Sequence, residues 1–333
     1  MEVQNDSSNR GVQIHYLVWV RAISAALILL CHLTQTHRNP YVVVSSQFFN
    51  VGVNIFIVLS GYLFGRLGVK HPYQNWLVKR GKRIFTPYWI FLGILGIVYL
   101  TFHVHTEANN WVFSLIGMQR FSYVLPYAEH TWFITPILLC YLITPPLDIL
   151  VCKLLEKPSK CGLWILTACM LVIPAILGYL PDSAIWANCC FYALAFILGK
   201  VWVDRTVKPW YIITAIAAVL AAFIFRFGCK FILDETILYN NIIARYTHFL
   251  ASFCFLFLSS WLLNRKPWKC VQFFSEISFE VYLCHYLFMQ SPLSVMALTG
   301  SWLVNALIAV ILSVVSALIL HSMVNQIQHV RRQ

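Results

Sequence analysis

Ten apolar stretches, each close to the roughly 20 residues that carry an α-helix across a bilayer, take up most of this chain. They lie at about 14–34, 47–67, 84–103, 132–151, 162–180, 187–203, 210–227, 246–264, 271–290 and 301–323. In hydrocarbon every backbone amide must be satisfied inside the protein, so such segments fold as helices. With 60% hydrophobic and only 11% charged residues, a water-soluble core of this length is excluded. The expected fold is all-α: a polytopic integral membrane bundle of about ten transmembrane helices, formed by residues 1–333 as a single domain with no separate soluble one.

Charge fixes the expected orientation. With the N-terminus in the cytoplasm, the inner connections receive Arg10, Arg66, Lys70, Lys79, Arg80, Lys82, Arg83, Lys153, Lys157, Lys160, Lys200, Arg205, Lys208, Arg265, Lys266, Lys269, Arg331 and Arg332. Outside fall only Arg38, Arg120, Arg226, Lys230 and Arg245. That asymmetry obeys the positive-inside rule and places both termini in the cytoplasm. The net charge of +12 is thus an insertion signal and an attraction to anionic membrane lipids, and nucleic acid is not an expected partner. The eleven cysteines are scattered without a CxxC pair, a pattern that predicts neither a disulfide framework nor a metal site. The longest connection, residues 104–130, is too short for a core of its own, so chemistry is expected inside the bundle.

Two ionisable residues interrupt the first stretch, HYLVWVRAISAALILLCHL. Burying Arg21 and His32 in lipid costs several kcal/mol unless a function or a partner compensates. Eleven positions apart, they differ by about 1100° of helical rotation, three turns and about 20°, and by about 16 Å of rise. Both point the same way, one above the other.

Other groups fall into an inner and an outer set. Arg66 and the block KRGKRIFTPYW bring five cations to the inner face, and Arg80 and Arg83, three apart, suit bidentate grip on phosphate. Near the outer face, alternating topology collects His32, His130 in EHTWF and His285 in SEISFEVYLCHYLF. Glu276 and Glu280 share a helix face, and Glu280, the deeper, is expected to neutralise an arginine such as Arg21 or Arg66. Ser60 is expected to bond back to its own helix. There is no GxSxG, GxxxxGK or HExxH, so the signatures of lipases, nucleotide hydrolases and zinc proteases are missing.

An inner phosphate grip below a buried arginine and an outer histidine suits transfer from acyl-coenzyme A to an acceptor outside. Arg80 and Arg83, with Arg66, would hold the nucleotide phosphates while the thioester passes Arg21 toward His32. There His32 serves as general base or as transient acyl carrier, and Tyr62 is a candidate donor to the carbonyl oxygen.

The Arg21-x10-His32 pair, FIVLSGYLFGR, the Arg80–Tyr88 block, HTWF at 130–133 and SFEVYLCH ending at His285 together resemble the bacterial acyltransferase family 3. That family consists of integral membrane enzymes that O-acylate, most often O-acetylate, surface glycans. The resemblance implies acetyl-CoA or a related acyl-CoA as donor substrate with no permanently bound cofactor. It also implies Arg21 and His32 as essential residues and the Arg80/Arg83 block as part of the donor machinery. A surface polysaccharide or lipid-linked glycan is the implied acceptor, the bacterial inner membrane the location, and glycan-assembly proteins possible partners. Many relatives carry an added hydrolase-like domain, and none is expected here. The outer aromatics Trp111, Tyr123, Tyr127 and Trp132 are the candidates to meet the acceptor, while interfacial anchoring is the expected role of each one taken separately. The alternative is a glycan or lipid exporter in which Arg21, Glu280 and the histidines line a path and no acyl group moves; the absence of internal repeats argues against it.

Overall fold

The computed structural model describes residues 15–121, 124–202, 209–233 and 236–330. Tyr123 and the basic residues Arg10, Arg205, Lys208, Arg331 and Arg332 lie outside them. Among the described residues the chain is helical without strands, a polytopic helical bundle. Among the described residues eight helices are long and apolar enough to span a membrane, and Cys161–Leu177 is a shorter apolar one.

The first span is α1 (His15–Gln35); the second joins α2 (Pro40–Phe49) to α3 (Val51–Leu67). Asn39 starts α2, its side-chain oxygen accepting the Tyr41 amide at 2.9 Å with Pro40 in the first helical position, where the missing N–H costs nothing. α4 (Tyr73–Phe102) returns outward with Pro87 in its interior. α5 (Ala108–Leu115) and two 3-10 turns, Gln119–Phe121 and Glu129–Phe133, fold over the outer end and lead into α6 (Ile134–Glu156). Then come α7 (Cys161–Leu177), α8 (Ser183–Val201), α9 (Pro209–Leu233) and α10 (Ala244–Leu262), which a π-helical turn at Leu238–Ile243 precedes.

The predicted span at 271–290 is two helices, α11 (Lys269–Glu276) and α12 (Ser278–Gln290). They break at Ile277, where Ser278 Oγ donates to Ser275 O at 2.8 Å. α11 is amphipathic and α12 carries the deep residues. The last helix is α13 (Trp302–Val330).

Position in the bundle follows composition. α9 turns Ile213, Ile224, Phe225 and Ile232 outward as a lipid-facing surface, which costs nothing where the solvent is hydrocarbon. α12 sits at the centre, with Val281, Leu283, Cys284 and His285 at most 1% exposed. α1 packs against α3, α10, α11 and α12. At the inner end a partly buried ion pair, Lys200 Nζ to Asp148 Oδ1 at 2.7 Å, ties α8 to α6, and the Tyr73 hydroxyl donates to Asp148 Oδ2 at 3.2 Å from α4. Removing Lys200 would leave the buried Asp148 carboxylate without its counter-charge.

Candidate functional site

The outer level is built from three histidines on three elements. α1 is unbroken from His15 to Gln35, so Arg21 and His32 keep the common stripe that their spacing predicts. His32 meets His285 of α12 with ring centroids 5.0 Å apart, and His285 meets His130 of the 129–133 turn at 5.1 Å. Tyr286 completes the cluster: it stacks on His130 at 4.7 Å and stands edge-on to His32 at 5.2 Å. The turn is latched to α12 through His130, by its ring and by its carbonyl. His130 Nε2–H donates to Leu283 O at 3.1 Å, and the Tyr282 hydroxyl donates to His130 O.

The hydrogen bonds assign a tautomer to each ring. A nitrogen facing a carbonyl or amide oxygen must carry the hydrogen, which leaves the other with a lone pair. His285 Nδ1 faces Val281 O at 3.2 Å, and His32 Nδ1 faces Gln35 Oε1 at 3.0 Å. His32 Nε2 is thus an open base, with Gln35 holding its ring much as a carboxylate does in a hydrolase triad. His130 Nδ1 and His285 Nε2 are buried with no partner. Orphaned acceptors of this kind cost about 1–3 kcal/mol each, and their persistence marks a site where they are used. Beside the cluster lies a cavity of about 150 Å³ lined by His32, Gln35, Asn50, His130, Trp132 and Tyr282 among others.

The inner level is cationic. Arg21 makes no hydrogen bond or ion pair with a described residue, yet it stands within electrostatic reach of Arg83, Arg80, Tyr141 and Glu276. Arg80 lies over the rings of Phe64 at 4.7 Å and Trp76 at 5.7 Å, with its Nε buried and unpartnered. Arg83 is exposed beside it. Three guanidinium groups with one carboxylate, Glu276, in reach leave a net positive site that attracts an anion, and the flat aromatic bed holds Arg80 for bidentate contact.

Three expectations are corrected. Arg66 does not join Arg80 and Arg83: its Nη1 donates to the Tyr62 hydroxyl at 3.0 Å, and Tyr62 receives Tyr16 at 3.3 Å. Phe64, under Arg80, is about 200° around α3 from Tyr62, so the two arginines occupy opposite sides of that helix. Tyr62, so engaged, stands near the inner end and not beside His32. Glu280 pairs with His321 of α13, Oε1 to Nδ1 at 2.9 Å, so its partner is a histidine and not Arg21. Of the expected acceptor aromatics, Trp132 lines the cavity, whereas the Trp111 indole is spent on Thr106 at 2.9 Å. Gln35, Tyr141, Tyr286 and His321 were not foreseen. The first stands one turn after His32 and Tyr286 adjoins His285, so both were within reach of spacing.

Comparison with curated proteins and with solved structures finds no match. The family model for the acyltransferase domain Acyl_transf_3 matches residues 14–322, a span holding both levels from Arg21 to His321, and the chain belongs to that acyltransferase family.

Proposed function

We propose that this membrane acyltransferase moves an acyl group, most readily acetyl, from cytoplasmic acyl-CoA to a hydroxyl of a surface polysaccharide or lipid-linked glycan, working in the bacterial inner membrane beside glycan-assembly proteins. The observation that carries the reading is His32: its Nδ1–H is spent on Gln35 at 3.0 Å, its Nε2 is free, and Arg21, without a hydrogen bond or ion pair among the described residues, stands below it on the same helix face. Donor phosphates rest on Arg80 and Arg83, and the thioester reaches the level of His32. Nε2 then takes the acceptor's hydroxyl proton as the oxygen attacks the thioester carbonyl. The C–S bond breaks, the ester remains on the acceptor, and the proton leaves with the coenzyme A thiol. No permanently bound cofactor is needed for this exchange.

Mass spectrometry of surface glycans tests it, in a strain lacking the gene and complemented with the wild-type chain. The expected result is loss of one acyl mass on deletion and its return on complementation. Unchanged acylation with less surface glycan would favour export instead. Arg80→Ala is expected to raise KM for acyl-CoA by about tenfold or more, since charge-assisted hydrogen bonds contribute about 1.5–3 kcal/mol, with a much smaller change in kcat. Steady-state kinetics on the purified protein separate the two.

A further inference from the structure

Ser60 and Tyr141 sit between the arginine level and the histidine cavity, and nothing in the reaction above uses them. Ser60 lies midway along α3, nine residues from its outer start at Val51, and Tyr141 lies two turns into α6. Helical hydroxyls elsewhere in this chain return to their own backbone: Ser24 to Val20 O at 2.7 Å, Ser252 to His248 O at 2.7 Å, Ser313 to Ala309 O at 2.6 Å and Thr144 to Cys140 O at 2.7 Å. That bond is the default for a serine in an apolar helix. Ser60 does not make it; its hydroxyl stands beside that of Tyr141, which lies within electrostatic reach of Arg80 and Arg83.

Both residues keep accessible surface although their neighbours Leu59 and Cys140 are 3% and 0% exposed. The Tyr141 ring is fixed edge-on to Phe64 at 5.6 Å and to Trp76 at 5.9 Å, the same rings that bed Arg80. The result is a pair of neutral hydroxyls, one on a rigid ring, placed directly above an anion-binding set. Each hydroxyl can both donate and accept. That suits uncharged amides far better than phosphate, which the guanidinium groups take.

We propose that Ser60 and Tyr141 form a binding site for the amide-bearing pantetheine arm of coenzyme A, holding the donor between its phosphates and its thioester. The proposal rests on the acyl-CoA reading above. The arm carries two secondary amides spaced along a thin chain, so hydroxyls midway between phosphate grip and base meet it in passing. Its entropy on binding is high, and fixing one amide would keep the thioester at the level of His32.

Isothermal titration of the full-length protein in lipid nanodiscs tests this with two probes, coenzyme A and its nucleotide half, adenosine 3′-phosphate 5′-diphosphate. Tyr141→Phe and Ser60→Ala are expected to weaken coenzyme A binding by about two- to tenfold each, the worth of one neutral hydrogen bond, while leaving the nucleotide half unchanged. Arg80→Ala is expected to weaken both probes. Unchanged coenzyme A affinity in both hydroxyl variants, or an equal loss for both probes, would overturn the pantetheine site and leave the donor assignment standing. Failure of the wild-type chain to bind coenzyme A would overturn the donor assignment itself.

Discussion

Alanine at position 32 is expected to lower acyl transfer by about two to four orders of magnitude, the usual contribution of a positioned general base, while the protein still inserts and folds. His32 sits at the edge of the histidine cluster beside the cavity and bonds only Gln35, on its own helix and adjoining turn. Its loss therefore removes a base and its ring contacts with His285 and Tyr286 but no hydrogen bond between helices. Transfer of labelled acetyl from acetyl-CoA, with the thermal unfolding midpoint as a check on folding, reads both parts. Gln35→Ala, which leaves the base but frees its ring to rotate, is expected to fall between His32→Ala and wild type. A His32→Ala enzyme with full activity would sink the mechanism.

How much of this arrangement was legible depended on whether distance along the chain or around a helix carried the information. Arg21 and His32 were placed by pitch alone, because α1 runs unbroken through both and nothing disturbs helical arithmetic. His130 and His285, 155 positions apart in sequence, were brought to one level by counting crossings, and the ring contacts at 5.1 Å put them there. Depth is what topology predicts. Azimuth is not, and Arg66 shows the difference: charge counting set it at the same face as Arg80, while α3 turns them to opposite sides. Glu280 shows the limit of partner guessing, since His321 is 41 positions away on a helix whose register the sequence does not state. The break at Ile277 was hidden because the 271–290 window averages an amphipathic helix with an apolar one.

The segment FIVLSGYLFGR carries a further signal that the spacing of charges obscures, a Gly61-x3-Gly65 pair of the kind that lets membrane helices touch backbone to backbone. A Cβ at Gly61 would collide with Tyr192 O and one at Gly65 with Phe196 O, while Gly199 of α8 meets Tyr62 O in return. These obstacles are carbonyl oxygens, not flexible side-chain ends, so a larger residue cannot be absorbed by a rotamer change and must push α3 from α8. Gly65→Leu is therefore expected to cost about 3 kcal/mol or more and to lower the unfolding midpoint by about 4 °C or more. Gly93→Leu is the matched control. Its Cβ meets nothing within 4 Å on an exposed face of α4, and leucine has the better helix propensity, so its midpoint should hold or rise slightly. Thermal unfolding of the two variants in the same detergent decides the matter, and equal midpoints would mean that α3 and α8 are not in backbone contact. Because α3 also presents Ser60 toward Tyr141 and Phe64 beneath Arg80, Gly65→Leu should loosen the donor grip along with the fold, whereas Gly93→Leu should leave coenzyme A binding at its wild-type value.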